Sequence, residues 1–415
     1  MVVLSICMAL QMTSYVMIVP LFARRFSELG AGVAALGESS MAYALAGTVA
    51  APFLGALADR LGRRRLVLVS LAAFVATMAG FLISTSALAI IVLRGVAGAF
   101  AAGLVPSAIG MVADLAPKER RAQWIGVVSG GAAAGWMVGP VLGGVLYDRW
   151  GYAVALTVGT LTAAVALALA FAGVPETRRR PLVPTSEAGQ IKLRFMTGEL
   201  KLAWRSVRQA LPDSLPTFGV LMWVSFVVMF AWAFIEPRFM FYAYDSLGWS
   251  ASMLGFMMSI YGVAMTLAEF GLGRLSDRLG RKPMILLGLA LFSAQFIGLA
   301  ASSSYSLIAA AFVTAGLGNA LYDPALSAAL LDIAPAEHQA RLLGLKSTAG
   351  SLGNILGPAL IVLFSSFVGA RVIFWGAAAA VLLTGLALFA WPSSTPGRDR
   401  SLPPQAPREN IVRPA

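Results

Sequence analysis

Residues Gly55 to Arg65 read GALADRLGRRR, and residues Gly273 to Pro283 read GRLSDRLGRKP. The second stretch repeats the first at an offset of 218 residues, placing Asp59 over Asp277, Arg60 over Arg278, Gly62 over Gly280 and Arg63 over Arg281. Each is a short charged run between apolar segments long enough to cross a bilayer, which takes roughly 20 helical residues. A charged loop copied at a fixed offset between such segments predicts a duplicated membrane bundle. The offset extends beyond the loop. It aligns Leu29 and Gly30 with Leu247 and Gly248, Tyr43 with Tyr261, Gly98 with Gly316, and Pro106 with Pro324. Further on it aligns Asp114 with Asp332, and Gly139 and Pro140 with Gly357 and Pro358.

Composition agrees. Hydrophobic residues make up 59% of the 415 and charged residues 12%, against about 25% charged in soluble domains. Mean hydropathy is +0.80. Twelve spanning helices are predicted, at 2–22, 33–58, 66–84, 87–114, 122–147, 152–174, 217–241, 250–275, 283–301, 304–331, 341–367 and 370–391. The fold class expected is therefore all-α and integral to the membrane. Six helices per copy is an even number, so the two bundles enter the membrane with the same orientation, as parallel repeats. The expected division is an N-terminal bundle over 1–174, a linker over 175–216, a C-terminal bundle over 217–391 and a tail over 392–415. In the linker, Leu193, Met196, Leu200, Trp204, Val207 and Leu211 recur at helical spacing, with Lys201, Arg205 and Arg208 largely off that stripe. That pattern predicts a basic amphipathic helix on the inner leaflet. The tail, rich in Pro, Ser and Arg, is expected to be disordered.

The net charge of +12 raises a nucleic-acid reading, which the placement of the charges removes. One side's loops and tail hold 25 Lys and Arg, two of them in 341–346; the opposite loops hold five, and Arg94 stands alone inside a span. This positive-inside bias puts both termini in the cytoplasm of a multi-pass plasma-membrane protein. The first segment starts almost at Met1, so a short cytoplasmic leader ahead of it is expected. One cysteine, Cys7, and one histidine, His338, exclude a disulfide framework and a Cys/His metal cluster.

The paired loops resemble the loop between helices 2 and 3 of the major facilitator superfamily, with its G-x-L-x-D-R-x-G-R-[RK] pattern. The resemblance implies a substrate site between the bundles near mid-membrane. It also implies a conformational latch made of Gly55, Asp59, Arg60, Gly62 and Arg63 with Gly273, Asp277, Arg278, Gly280 and Arg281. In that latch Asp59 meets helix 11 and holds the outward-facing state. The residues themselves fit: Gly62 permits a tight turn, and a carboxylate is favoured near a helix N-terminus. The competing reading is that the arginines only set topology.

In helix 5, Gly135-Trp-Met-Val-Gly139-Pro140-Val-Leu-Gly143-Gly144 resembles the G-x-x-x-G-P-x-x-G-G signature of drug/proton antiporters in the superfamily. Pro140 bends the helix, and glycines four apart let another helix approach closely. The second half carries Val362 where the first has Gly144. Arg94, in LRGVAG, resembles the superfamily's helix-4 R-G-x-x-G motif, linked to proton coupling. Its burial costs ~2.5–3.5 kcal/mol on insertion scales, so it needs an acceptor. A structural arginine bonded to carbonyls of helix 1 is the competing reading.

Four acids stand away from the charged loops: Glu236, Glu269, Asp323, with Asn319 one turn away on the same face, and Asp332, which matches Asp114 in the repeat and is expected to be an interface or capping residue. Asp323 is the expected proton site, between low dielectric and a nearby cation such as Arg94. Glu236 is placed nearer the outer mouth, where Arg238 would neutralise it. Helix 1 offers Gln11 and Tyr15 but no acid, a departure from several well-known drug antiporters. Met12, Tyr15, Trp136, Trp223, Met229, Trp232 and Tyr322 are the candidates for an adaptable apolar pocket.

The function expected is proton-coupled efflux of small amphipathic compounds by alternating access, acting as a monomer. Substrate, protons and lipid are the partners, with no cofactor and no nucleic acid; the proton gradient is the drive, for the chain lacks G-x-x-x-x-G-K-[ST]. An enzyme is not expected, for want of a catalytic constellation. Two alternatives stay open: an importer or facilitator of a sugar or organic acid, and a transport-inactive membrane sensor.

Overall fold

The computed structural model describes residues 1–177, 212, 214–272, 279–335 and 338–390. The amphipathic part of the linker, the loop 273–278 and the tail lie outside the described residues, as do the side chains of Asp59 and Arg60. Gly273, Asp277 and Arg278 fall in that loop.

The described residues form twelve helical spans and no strand. Span α1 is Val2–Ile18, continued after a 41° bend by Leu21–Glu28. Then come α2 (Val33–Leu61), α3 (Arg63–Ile83) and α4 (Ala87–Leu115). The run Arg121–Gly173 holds α5 and α6, divided at Gly151, whose φ is 80°. The second half has α7 (Leu215–Phe241, ending in a wider turn Tyr242–Ser246) and α8 (Ala251–Leu272). After them, α9 is Arg281–Phe292 plus Ala294–Ala301, followed by α10 (Tyr305–Ile333), α11 (Gln339–Phe364) and α12 (Ala370–Ala390). Helices satisfy their own backbone groups, as hydrocarbon demands. The single helix expected over 2–22 is instead a bent pair, because Pro20 has no N–H to continue the ladder.

The repeat is visible in the backbone. Gly62 and Gly280 turn the chain between α2 and α3, and into α9, with φ of 98° and 91°, a left-handed region that penalises any side chain. The next residues tie each bundle together. Arg63 pairs with Asp114 at the end of α4 at 2.7 Å, and Arg281 pairs with Asp332 at the end of α10 at 3.2 Å. Arg64 donates to the Phe171 carbonyl at 2.7 Å and Lys282 to the Phe389 carbonyl at 3.1 Å, cations on C-terminal carbonyls where the helix dipole favours them. Each contact recurs at the 218-residue offset. The loop arginines therefore brace their own bundle as well as carrying charge.

Within the bundles α1 packs on α5 and α7 on α11, while α2 packs on α4 and α8 on α10. The bundles meet along α5–α8 and α2–α11. We call the end holding the α2–α3 loop the basic end, and the opposite end the far end. At the far end the bundles are locked. Asp148, at the α5–α6 turn, accepts hydrogen bonds from the N–H groups of Ala251 and Ser252 at 3.0 and 2.8 Å. Tyr244 donates to the Pro20 carbonyl at 2.9 Å, and Arg24 lies 4.2 Å above the Tyr244 ring. At the basic end the described residues part: outside its own helix and chain neighbours, nothing among them lies within 4 Å of where a Cβ would stand on Gly126, Gly130, Gly271 or Gly344. The molecule is open toward its basic end.

Candidate functional site

Between the bundles lies a cavity of about 770 Å³. Tyr15, Tyr43, Arg94 and Trp136 form its wall on the first bundle; Trp232, Glu236 and Asn354 face them from the second. A further space of about 400 Å³ lies toward the basic end, lined by Asp323, Ser327 and Lys346. Met229, Ser347, Ser351 and Asn354 line both.

Arg94 is buried, with 4% of its surface exposed. Its guanidinium sits 4.9 Å from the Tyr43 ring, 5.0 Å from Phe22 and 5.8 Å from Tyr15. It donates to the Ser39 hydroxyl at 3.2 Å and the Tyr15 hydroxyl at 3.5 Å. Aromatic faces are worth roughly 0.5–2 kcal/mol each to a desolvated cation, which offsets its insertion cost. The helix-1 carbonyls of the competing reading are not its partners. Tyr15 and Tyr43 stack at 5.3 Å, so the box is rigid.

Glu236 reaches the cavity from α7, close enough for the charge of Arg94 to act on it. It forms no hydrogen bond or ion pair among the described residues. Arg238, expected to neutralise it, does not pair with it, because residues two apart on a helix point to different sides.

Asp323 is placed differently from the expectation. Its carboxylate accepts from Lys346 at 2.6 Å, and the same ammonium donates to Ser327 at 2.7 Å. Lys346, counted with the loop charges on sequence, stands in the second turn of α11 and faces inward. Asp323 thus has its own cation, while Arg94 lines the cavity with Glu236 without pairing to it among the described residues. Asn319 turns instead to the Tyr261 hydroxyl at 2.6 Å, and Tyr261 stacks on Trp232 at 6.3 Å. Glu269 is exposed, near enough to Asp323 to feel its charge.

Trp136, Tyr15, Met229 and Trp232 line the central cavity. Tyr322 does not present its ring there: it is 1% exposed and packs edge-on against Phe292 at 5.5 Å. Gln11 is buried within the first bundle, off the cavity wall, and Trp223 is 54% exposed, its ring tilted against Phe226.

The helix-5 glycines each meet a backbone. A Cβ on Gly135 would lie 2.7 Å from the Ala9 carbonyl, and one on Gly139 2.8 Å from the Thr13 carbonyl. One on Gly143 would strike the Met17 carbonyl, and one on Gly144 the Ala251 carbonyl of α8. Gly255 of α8 returns the contact on the Pro140 carbonyl. Across the equivalent α2–α11 seam, Gly37 faces the side chains of Ile361 and Val362. Val362 in place of a second glycine therefore makes a looser seam, and α5–α8 is the tight one.

A model of the Major Facilitator Superfamily matches residues 4–244 and again 221–414. The chain belongs to the major facilitator superfamily. It is 28% identical over 358 residues to the multidrug resistance protein MdtG of Proteus mirabilis, covering 84% of this chain and 83% of that one. It is 26% identical over 345 residues to the multi-drug resistance efflux pump PmrA homolog of Lactococcus lactis, covering 82% and 80%. Among solved structures it resembles the human organic anion transporter MFSD10, with a TM-score of 0.66, 21% identity and coverage of 93% and 98%. It also resembles a POT peptide transporter, with a TM-score of 0.74, 15% identity and coverage of 94% and 93%. Those two likenesses bear on fold. As a member of this superfamily the chain is a multi-pass membrane transporter.

Sequence reading missed Lys346, the polar face of α11 and the Asp148 contacts. The first two were within reach: Lys346 falls inside the span predicted at 341–367, and Ser347, Ser351 and Asn354 stand at helical spacing within it. Asp148 gave no signal, since it bonds to a segment 103 residues away.

Proposed function

We propose that the protein is a proton-coupled exporter of amphipathic compounds, with the basic end facing the cytoplasm, as the charge bias supports. The observation that carries this reading is Glu236: an acid on the wall of a cavity between two bundles, unpaired among the described residues, with the buried cation Arg94 lining the same cavity. An exchange site must bind either a proton or a substrate and never both. A carboxylate without a fixed partner meets that requirement. The relative named as a multi-drug resistance efflux pump, at 26% identity, supports the direction of transport, and the one named as a multidrug resistance protein, at 28%, agrees with it. In this scheme the basic-end-open form loads substrate, which displaces the proton. The bundles then rock about the α5–α8 and α2–α11 seams. Asp59 and Asp277 with their loops serve as the latch of the opposite state.

The test uses the purified protein in liposomes with an imposed pH gradient and a fluorescent dye. Wild type should drive uphill dye movement with counter-flow of protons. Glu236→Gln should still exchange or bind dye and lose uphill movement altogether. Uphill pumping by the variant with an unchanged pH profile would return the proton site to Asp323 or Glu269.

A further inference from the structure

The face of α11 turned to the cavity is polar in a way that packing does not use. Ser347, Ser351 and Asn354 stand at i, i+4 and i+7, so their side chains share one face. All three line both the central cavity and the space next to it. None forms a side-chain hydrogen bond among the described residues. The neighbouring polar groups, by contrast, are satisfied: Lys346 by Asp323 and Ser327, Asn319 by Tyr261. At the matching positions the first repeat has Ser129, Ala133 and Trp136. The first repeat forms its matching helix with only the first of these three positions polar in the same way, so the stripe is not needed to form the helix.

The opposite wall is aromatic. Tyr15 and Tyr43 present a stacked pair and Trp136 an indole. A cavity with one aromatic wall and one wall of hydrogen-bonding groups that have no protein partner among the described residues selects for a particular shape. We propose that α11 is a recognition rail, and that the ligands of this cavity are flat aromatic amphiphiles with hydrogen-bonding groups along one edge. The aromatic face stacks against the first bundle and the polar edge lies along Ser347, Ser351 and Asn354. Seven residues of helix span about 10 Å, which matches a ring system of two to three fused rings. Desolvated groups on the rail then reject compounds without partners for them. This deepens the efflux reading above by naming its substrate class.

The test holds charge constant. Ethidium and tetraphenylphosphonium are both monovalent organic cations, but only ethidium is flat and carries amino groups. Binding of each to purified protein is measured by equilibrium dialysis, so transport is not required. Wild type should bind ethidium at least tenfold more tightly than tetraphenylphosphonium. The double variant Ser351→Ala, Asn354→Leu should lose about tenfold for ethidium and less than twofold for tetraphenylphosphonium, whose retained binding also reports an intact fold. Equal loss of both probes, no loss of either, or a wild type without the preference overturns the proposal. A protein that keeps the preference and fails to pump dye leaves the rail standing and sinks the efflux reading instead.

Discussion

Removing the Asp148 carboxylate should open the far end. Asp148 belongs to the first bundle, yet it caps α8 of the second by accepting two backbone N–H groups at 3.0 and 2.8 Å. Those donors have no partner inside the helix, and an acid there also meets the positive end of the helix dipole. Loss of such a cap costs ~0.5–2 kcal/mol. Asp148 is exposed, so water replaces part of the bond, and the cost falls near 1 kcal/mol. Because the cap spans the two bundles only while the far end is shut, the cost falls on that state alone. The equilibrium should move toward the far-end-open form by about fivefold. Leu36, 2% exposed beside the Gly37 contact with α11, reports on it once replaced by cysteine in a Cys7→Ser background. Maleimide labelling of that cysteine should speed up about fivefold in Asp148→Ala. Asp148→Asn keeps one carbonyl acceptor and should give about half of the effect on a logarithmic scale. A labelling rate unchanged by Asp148→Ala would show that the cap does not hold the far end shut.

Three further outcomes are expected. Lys346→Met should strip Asp323 of its cation and impair transport, and adding Asp323→Asn should restore it in part; additive effects in that double-mutant cycle would mean the pair is not coupled. Gly139→Leu should abolish efflux while leaving insertion intact, since its side chain would press on the Thr13 carbonyl at a cost of ~1–3 kcal/mol; retained dye efflux at matched expression would contradict the close α1–α5 packing. Asp59→Asn should impair transport without reducing membrane insertion, and normal transport by that variant would remove the latch.

The fold was readable in sequence because a bilayer permits few solutions. Apolar length and one duplicated loop suffice to place twelve helices. The bend at Pro20 was not read, because the apolar run 2–22 is long enough to pass for one unbroken helix. The cavity was half legible. Arg94, Tyr15, Trp136, Trp232 and Glu236 were named on their chemistry, and the fold brings all five to one cavity. Which carboxylate owns which cation was not legible. Asp323 lies 23 residues from Lys346, and Glu236 lies far along the chain from Arg94. Depth within a span says nothing about the neighbour across the gap. Tyr322 shows the same limit, since its ring turns to Phe292 and only tertiary packing decides that.

The duplication offers its own control on which polar residues act and which merely hold. Arg63 with Asp114 recurs as Arg281 with Asp332, and Arg64 on Phe171 recurs as Lys282 on Phe389. Contacts that both copies keep serve what the copies share, which is the bundle. The cavity charges behave oppositely. At the 218-residue offset Arg94 corresponds to Phe312, Asp323 to Val105, Lys346 to Val128 and Glu236 to Ile18. Tyr43 and Tyr261 mark the same point in each copy; above one lies a guanidinium at 4.9 Å, and against the other the Phe312 ring at 6.5 Å. An apolar side chain therefore satisfies the same backbone site, and the charge is not what the packing needs. Burying it still costs ~2.5–3.5 kcal/mol. A cost borne in only one copy, at a wall facing the cavity, is best accounted for by what the cavity must bind.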